Sequence, residues 1–286
     1  MNPLVIALGG NAISPEGEAD TIENQFRHVR AAAMRIATLV KGGWDRIVIT
    51  HGNGPQVGNV VRRVEHSRDI APWLPLDICV ADTQGGMGYM IQQCLNNALA
   101  KAGLSMSAAT VVTQVVVDAS DPAFGHPSKP IGPDSKLVPS PNPLGVVEAA
   151  AIAGLMNAGI LVVAGGGGGV PVVEGPDGLR GVEAVVDKDL TAGLLARAVG
   201  AQMLVILTDV DGVYSDFGTA QAKIMRTISA ADLRRVGRFE EGSMGPKVEA
   251  ACQFVEAGGE KAVIAALDDL IDAVAGRSGT TVTSAS

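Results

Sequence analysis

The chain has 286 residues, of which 47% are apolar and only 3% are aromatic. This composition is sufficient for a large core of Ala, Val, Leu and Ile, in one large α/β unit or two smaller lobes. The formal net charge is −8 and no run of Lys and Arg exceeds two residues, so the chain lacks the basic patch typical of nucleic-acid-binding proteins. Cys79, Cys94 and Cys252 show no disulfide or metal-ligand spacing, and we expect buried thiols in a reducing cytoplasm.

Predicted strands and helices alternate along the chain, which indicates a mostly parallel sheet with helices on both faces. Asp121–Pro143 is predicted to be irregular, and the tail from Gly276 is rich in Ser and Thr. The predicted strands are Leu4–Leu8, Arg46–Thr50, Thr110–Val117, Ile160–Ala164, Val182–Val186, Met203–Leu207 and Ala262–Ala265. The predicted helices are Ile22–Val40, one from about Pro55, Ala81–Ala102, Glu148–Asn157, Leu190–Val199, Lys247–Ala257 and Leu267–Ala275.

The uncharged stretch from Ala149 to Val173 is long enough to cross a membrane. It contains five consecutive glycines and Pro171, however, so it divides better into a helix, a turn, a strand and a glycine loop. The N-terminus lacks the basic region of a signal sequence. We therefore expect a soluble, cytoplasmic protein.

Glycine loops follow three of the predicted strands, at residues 9–10, 52–54 and 165–169. Carboxyl ends of parallel strands share one sheet edge, where ligands of such sheets bind. Free backbone N–H groups in such loops can hold an anion. The chain has no Gly-Lys dipeptide and no G-x-G-x-x-G, so neither a P-loop nor a dinucleotide-binding motif is indicated. Any single loop could simply turn the chain, but three together favour a ligand.

Three lysines lie where the backbone is constrained. Lys188 follows a predicted strand in Val-Asp-Lys-Asp, Lys247 ends Gly-Ser-Met-Gly-Pro-Lys, and Lys129 stands among prolines. A single lysine is most often a solvated surface charge. Three at rigid positions in an acidic chain fit a clamp for a transferring phosphoryl group, which requires positioning and charge neutralisation.

Ten segments, in order along nearly the whole chain, resemble carbamate kinases of the amino acid kinase superfamily. The segments are Gly9–Ala12, His51–Gly58, Pro75–Asp77, Thr113–Asp118, Lys129–Pro133, Val138–Pro141, Gly165–Pro171, Asp187–Asp189, Leu207–Asp209 and Gly242–Lys247.

The resemblance implies a three-layer αβα sandwich with an open, mainly parallel sheet. It implies residues 1–200 as a lobe for the acceptor and for dimerisation, and residues 201–286 as a lobe for ATP or ADP. The implied reaction is ATP + carbamate ⇌ ADP + carbamoyl phosphate in a homodimer. The implied cofactor is Mg²⁺, bound mainly through the nucleotide phosphates without a metal site on the protein. In this family the ATP-forming direction often serves arginine or related nitrogen catabolism.

The resemblance also implies roles for individual residues. Lys188, Lys247 and Lys129 would neutralise phosphate charge, with Asp189 orienting lysines, and His51 would brace its loop. The acceptor and phosphoryl group would lie among Gly9, Gly10, Asn11, Gly52, Asn53 and Gly54. The nucleotide would border Thr208, Asp209, Val210, Gly212, Tyr214, Met244, Gly245 and Lys247.

The chain departs from the family pattern between Pro133 and Val138. Carbamate kinases usually carry a protruding subdomain there, whereas this chain has only Asp134–Leu137. We expect a reduced lid, weaker closure over the acceptor, and a Lys129 that reaches the site less reliably from its short connection.

Two other functions fit the same residues. One is a superfamily enzyme that phosphorylates a different small anionic acceptor. The other is a nucleotide- or metabolite-binding module without turnover, against which the retention of Lys188, Asp189 and Lys247 argues.

Overall fold

The computed structural model describes residues 3–10, 13–15, 17–132, 134–237, 239 and 243–284. The helices are α1 (Ile22–Lys41), α2 (Gly54–His66), α3 (Leu76–Lys101), α4 (Ala149–Asn157), α5 (Lys188–Ala198), α6 (Ala230–Arg235), α7 (Met244–Glu256) and α8 (Leu270–Val274). The strands before residue 150 are β1 (Leu4–Leu8), β2 (Ile47–His51), β3 (Ser107–Thr110), β4 (Gln114–Val117), β5 (Lys129–Ile131), β6 (Lys136–Val138) and β7 (Pro143–Val146). The later strands are β8 (Ile160–Val163), β9 (Val170–Gly175), β10 (Gly178–Gly181), β11 (Met203–Thr208), β12 (Tyr214–Ser215), β13 (Lys223–Ile224), β14 (Thr227–Ser229), β15 (Lys261–Ala266) and β16 (Thr280–Thr283).

One eight-stranded sheet runs through the molecule in the order β14-β16-β15-β11-β1-β2-β8-β3. The pairings from β15 to β3 are all parallel, and β16 lies antiparallel to β15. Strands from before residue 200 form one half and strands from after it the other. The halves meet where Leu4 of β1 pairs with Met203 of β11.

Helices cover both faces of this sheet, which gives the predicted three-layer αβα architecture. Alternate residues of β1 divide between the two cores, as the period of a strand requires. Leu4, Ile6 and Leu8 pack with α1, α3 and α8, whereas Val5 and Ala7 pack with α4, α5 and α7. Because both faces are covered, β1, the first three residues of β2 and the middle of β11 are apolar throughout.

Most predicted elements are present within a few residues of their predicted bounds. The uncharged stretch at 149–173 divides as expected into α4, β8 and a glycine loop. Within the described ranges, no helix is long and apolar enough to cross a membrane. The three cysteines are buried and free, as predicted.

The prediction of a single strand over Thr110–Val117 is wrong. The chain leaves the main sheet after β3 and enters a second sheet at β4, whose strand order is β10-β9-β4-β7. The buried amide of Gln84 replaces the lost ladder bonds: its Oε1 accepts from the Thr113 N–H at 2.9 Å, and its Nε2 donates to the Thr113 carbonyl at 3.0 Å. A side chain from α3 thus allows the backbone to change sheets without leaving polar groups unsatisfied.

Three other expectations also need correction, and the Val170–Gly181 hairpin and β16 were not predicted. Val182–Val186 is a buried irregular segment, because its backbone is held by isolated bonds to Pro171 and Pro139. Hairpins occupy Val170–Gly181 and Lys129–Val138, the second within the stretch predicted to be irregular. The stretch Leu267–Ala275 is a short 3-10 turn followed by α8, and the C-terminal tail adds β16.

Candidate active site

The loops after β1, β2, β8 and β11 meet at one edge of the main sheet, as the positions of the glycines predicted. They enclose a cleft of about 270 Å³, to which the first turn of α5 and the β5–β6 hairpin also contribute. Among the described residues, eleven of the predicted site residues line this cleft: Gly9, Gly10, Gly52, Asn53, Gly54, Lys129, Lys188, Asp189, Thr208, Asp209 and Lys247.

Five predicted site residues that the structure describes do not line this cleft. Val210 and Gly212 lie in the loop after β11, Tyr214 begins β12, and Met244 and Gly245 lie in the first turn of α7. Asn11 lies outside the described residues.

Three lysines and two aspartates form a connected network in the cleft. Asp189 is buried and accepts from both Lys188, at 2.5 Å, and Lys247, at 3.3 Å. Lys129 Nζ donates to Asp187 Oδ2 at 2.6 Å. The two lysines that come from α5 and α7 therefore share one carboxylate, and the lysine from the hairpin has its own.

The start of α5 fixes this network in place. Asp187 is the N-cap of α5, and its side chain accepts from the Asp189 N–H at 2.9 Å. This bond satisfies one of the free N–H groups at the helix N-terminus. Lys188 and Asp189 are consequently the first two residues of a rigid element, which packs against α7. The Lys247 ammonium is held in turn by the Ser243 carbonyl at 2.9 Å.

Burial and charge act in opposite directions on these groups. Burial raises the pKa of Asp187, but Lys129 and Lys188 outweigh it and hold that pKa below the ordinary value. Burial also lowers the pKa of Lys247, and Lys188 adds to this, against the opposing effect of Asp189. Asp187 therefore stays ionised at neutral pH.

The glycines at the cleft fall into two groups. A Cβ on Gly9 would lie 2.8 Å from the Leu207 carbonyl oxygen, and one on Gly52 would lie 3.3 Å from Gly10 and from the Lys188 side chain. The chain itself needs these two positions to be small. A Cβ on Gly10 or Gly54 would have no described atom within 4 Å, so these two positions border open space in the cleft.

The polar residues of the loop after β2 brace it. His51 is buried, and its Nδ1 lies 3.0 Å from the Gly52 carbonyl oxygen, so this nitrogen carries the hydrogen. Burial lowers the pKa of His51 to about 4, which leaves the ring neutral. The Asn53 amide donates to Thr83 Oγ1 at 2.8 Å. One of the two N–H donors of this amide is therefore engaged by α3.

The β5–β6 hairpin brings Lys129 into the cleft. The expectation that the short connection would leave Lys129 unreliably placed is wrong in this respect, because four residues between the strands suffice for a tight turn. Its ammonium reaches Asp187, and Lys129, Pro130 and Ile131 all line the cleft.

The loop after β11 closes the side of the cleft expected to hold the nucleotide. Thr208 Oγ1 donates to Asp209 Oδ1 at 3.0 Å. Further along, Tyr214 OH donates to Asp211 Oδ1 at 2.7 Å and its ring packs near Phe217. Gly212 approaches Thr280 so closely that a Cβ would lie 2.8 Å from Thr280 Oγ1, which ties this loop to β16.

The sequence interpretation missed two contributors to the site. Asp187 pairs with Lys129, and Ser243 holds Lys247 through its carbonyl, whereas Gly167 lines the cleft from the predicted glycine loop after β8. For Asp187 a signal existed, because an aspartate directly before a helix is a typical N-cap. The prediction placed the start of that helix two residues too late, at Leu190, and so concealed the cap.

Known proteins resemble this chain in fold and in sequence over nearly their full length. The amino acid kinase family model matches residues 2–266. The carbamate kinase from Thermococcus kodakarensis is 45% identical to this chain over 99% of both proteins. The carbamate kinase from Pyrococcus horikoshii is 42% identical over 98% of both proteins. The solved structure of carbamate kinase from Giardia lamblia bound to AMP-PNP superposes with a TM-score of 0.95 at 34% identity, covering 99% of both chains.

One of these alignments also bears on the length of the chain. The alignment with the Thermococcus kodakarensis enzyme runs over 312 positions, 26 more than this chain has residues. That relative therefore contains residues that have no counterpart here.

Proposed function

Because the chain belongs to the carbamate kinases of the amino acid kinase family, we propose that it catalyses ATP + carbamate ⇌ ADP + carbamoyl phosphate at the cleft. The observation that carries this proposal is the convergence of Lys129, Lys188 and Lys247 on two aspartates beside glycine loops. Such a site neutralises and positions a phosphoryl group, which is most of what phosphoryl transfer requires.

In the proposed reaction, a carbamate oxygen attacks the γ-phosphorus, a new P–O bond forms, and the bond to the ADP oxygen breaks. Carbamate is already an anion, so no side chain needs to remove a proton. This agrees with a neutral, buried His51 that acts on its own loop. Lys188 and Lys247 stabilise the charge that moves onto the leaving oxygens, and Asp189 fixes the distance between the two ammonium groups.

The two sides of the cleft receive different substrates in this proposal. The acceptor lies near Gly10 and Gly54, where the backbone leaves open space. The nucleotide phosphates lie toward Thr208 and Lys247, with the base beyond, near the loop that contains Tyr214. Residues 1–200 then form the acceptor lobe and residues 201–286 the nucleotide lobe, joined by the β1–β11 pairing.

We further propose Mg²⁺ as the cofactor. Within the described ranges, no three His, Cys, Asp or Glu side chains come together as a metal site. Thr208 and Asp209 place oxygen atoms, the ligand type that Mg²⁺ prefers, at the lining of the cleft. The ion would be carried mainly by phosphate oxygens, whose charge it would neutralise.

The biological setting is also a proposal. We propose a cytoplasmic homodimer that runs in the ATP-forming direction, within arginine or related nitrogen catabolism. Family membership supports each of these statements.

The direct test is synthesis of ATP from carbamoyl phosphate and MgADP by the purified protein. Because carbamoyl phosphate decomposes spontaneously, the control is the same mixture without protein, and folding is verified by circular dichroism. ATP above the control supports the proposal, and its absence with folded protein contradicts it.

A second candidate function follows from the shorter chain. The relative from Thermococcus kodakarensis has residues that this chain lacks, and only four residues separate the two strands of the hairpin between Lys129 and Val138. A less enclosed cleft could accept another small carboxylate or phosphate. ADP release measured with a panel of carbamate, carboxylate and phosphate acceptors separates the two candidates.

A further inference from the structure

The β5–β6 hairpin depends on other elements for its position. It forms a two-stranded sheet of its own, apart from the other sheets of the described chain. Such a hairpin is marginally stable alone. Its exposed ion pair, between Lys136 and Glu65 of α2, contributes little. Ile131 and Val138 instead bury their side chains against Val57 and Val64 of the same helix.

The turn of the hairpin meets two successive turns of α2 through backbone alone. The Gly132 N–H donates to the Gly54 carbonyl at 3.1 Å. Four residues further along the helix, on the same face, Gly58 lies against Gly132. A Cβ on Gly58 would lie 1.9 Å from Gly132 Cα, and one on Gly132 would lie 2.7 Å from Gly58 Cα. Both conflicts are with backbone atoms, so no side chain could rotate away to relieve them.

This contact sets the position of Lys129. Lys129 is three residues before Gly132 in a short, twisted strand, and its ammonium spans from the hairpin to Asp187 at the start of α5. We infer that Gly58 and Gly132 are positioning residues: their backbone contact holds the hairpin close to α2 and so places the Lys129 ammonium in the cleft. The part of this inference that concerns turnover rests on the proposed function.

The first experiment measures the position of Lys129 without turnover. Brief acetylation with acetic anhydride, followed by mass spectrometry of peptides, gives the labelling rate of each lysine. We compare the native chain with Gly58→Ala, and we use exposed Lys101 as the internal reference. The matched control is Gly154→Ala, an exposed helical glycine whose Cβ would meet nothing within 4 Å.

We expect Gly58→Ala to raise the labelling rate of Lys129 relative to Lys101, because the ammonium leaves Asp187. Gly154→Ala should leave the ratio unchanged. An unchanged ratio in folded Gly58→Ala would overturn the inference, whatever the activity of the protein. If Gly58→Ala does not fold, Gly132→Asn is measured in its place, because Asn tolerates the φ of +67° at this position while adding a Cβ.

The second experiment is a double-mutant cycle in the ATP-forming assay. A displacement of the ammonium by about 1 Å costs on the order of 10² in rate, so Gly58→Ala should lower kcat/KM to this extent. In the Lys129→Ala background the same change should cause no further loss, since the group it positions is gone. Additive losses would show that Gly58 acts by another route and would overturn the inference. A native chain without ATP synthesis would refute the proposed function, and the labelling result would still decide the position of Lys129.

Discussion

Asp189 is the residue on which Lys188 of α5 and Lys247 of α7 both depend. It is 2% exposed and binds both ammonium groups, so each lysine is held at a fixed distance from the other. The removal of one preorganised electrostatic group typically costs about 10²–10³ in kcat. We therefore expect Lys188→Ala and Lys247→Ala each to reduce kcat by this order, and Asp189→Asn to reduce it by releasing both lysines.

These reductions should occur without loss of the fold, which thermal unfolding of each variant can verify. His51→Ala serves as the comparison, because the neutral His51 ring braces the loops after β2 and β8 through Gly52 and Gly166, so its removal should reduce kcat less. An equal loss in His51→Ala would mean that the imidazole takes part in the transfer itself.

His51 should also make the fold sensitive to acid. Burial lowers its pKa from 6.5 to about 4, so below pH 6.5 the unfolded chain binds a proton that the folded chain does not. The contribution of His51 to the free energy of unfolding is therefore fully present above pH 6.5, the pKa in the unfolded chain. It decreases by about 3 kcal/mol in total as the pH falls toward 4.

We expect His51→Gln, which keeps a donor for the Gly52 carbonyl, to lose less stability than the native chain between pH 6.5 and 4. Urea unfolding of both proteins across this range measures the difference. Parallel acid profiles would show that another group controls the acid sensitivity.

At the scale of elements, the β5–β6 hairpin brings Lys129 into the cleft despite its short turn. Because the Lys129 ammonium lies 2.6 Å from Asp187, we expect Lys129→Ala to reduce kcat/KM about as much as Lys247→Ala, by roughly 10²–10³. Steady-state kinetics of the two variants provides the comparison. A much smaller loss for Lys129→Ala would mean that the contact seen here is not maintained during turnover.

The short hairpin should still affect substrate binding. A small acceptor gains little binding energy from contacts and depends on enclosure, which a lid normally supplies. We expect a high KM for carbamoyl phosphate. Insertion of a full-length protruding subdomain between Pro133 and Val138 should lower it, and a KM unaffected by the insertion would contradict this argument.

The sequence predicted elements well where the period of apolar residues was unbroken, as in β1 and α1. It failed where a side chain from a distant element replaced a ladder bond. The break between β3 and β4 requires the amide of Gln84, nearly thirty residues earlier, and no local pattern records this. Similarly, the three lysines were identified from loop rigidity, but the pairing of Lys129 with Asp187 depends on tertiary packing.

At the scale of the whole molecule, the two sequence halves share one sheet. β1 is completely buried between β2 and β11, so either half alone would expose a fully apolar strand edge. We expect one cooperative transition in calorimetry, with equal calorimetric and van't Hoff enthalpies. Two resolved transitions, with the later half unfolding separately, would show that the lobes are energetically independent.

The open space beside Gly10 and Gly54 has a consequence for which acids the protein can use. At both positions a hydrogen stands where a methyl group would touch no described atom, so the packing of the described chain does not require these two glycines. In the proposed function this space holds the acceptor, so that a small planar acid reaches the phosphorus and a bulkier acid meets the loop backbone first. Gly10→Ala or Gly54→Ala would narrow this space without a steric conflict with a described atom. The width of the acceptor passage can therefore change while the fold stays as it is.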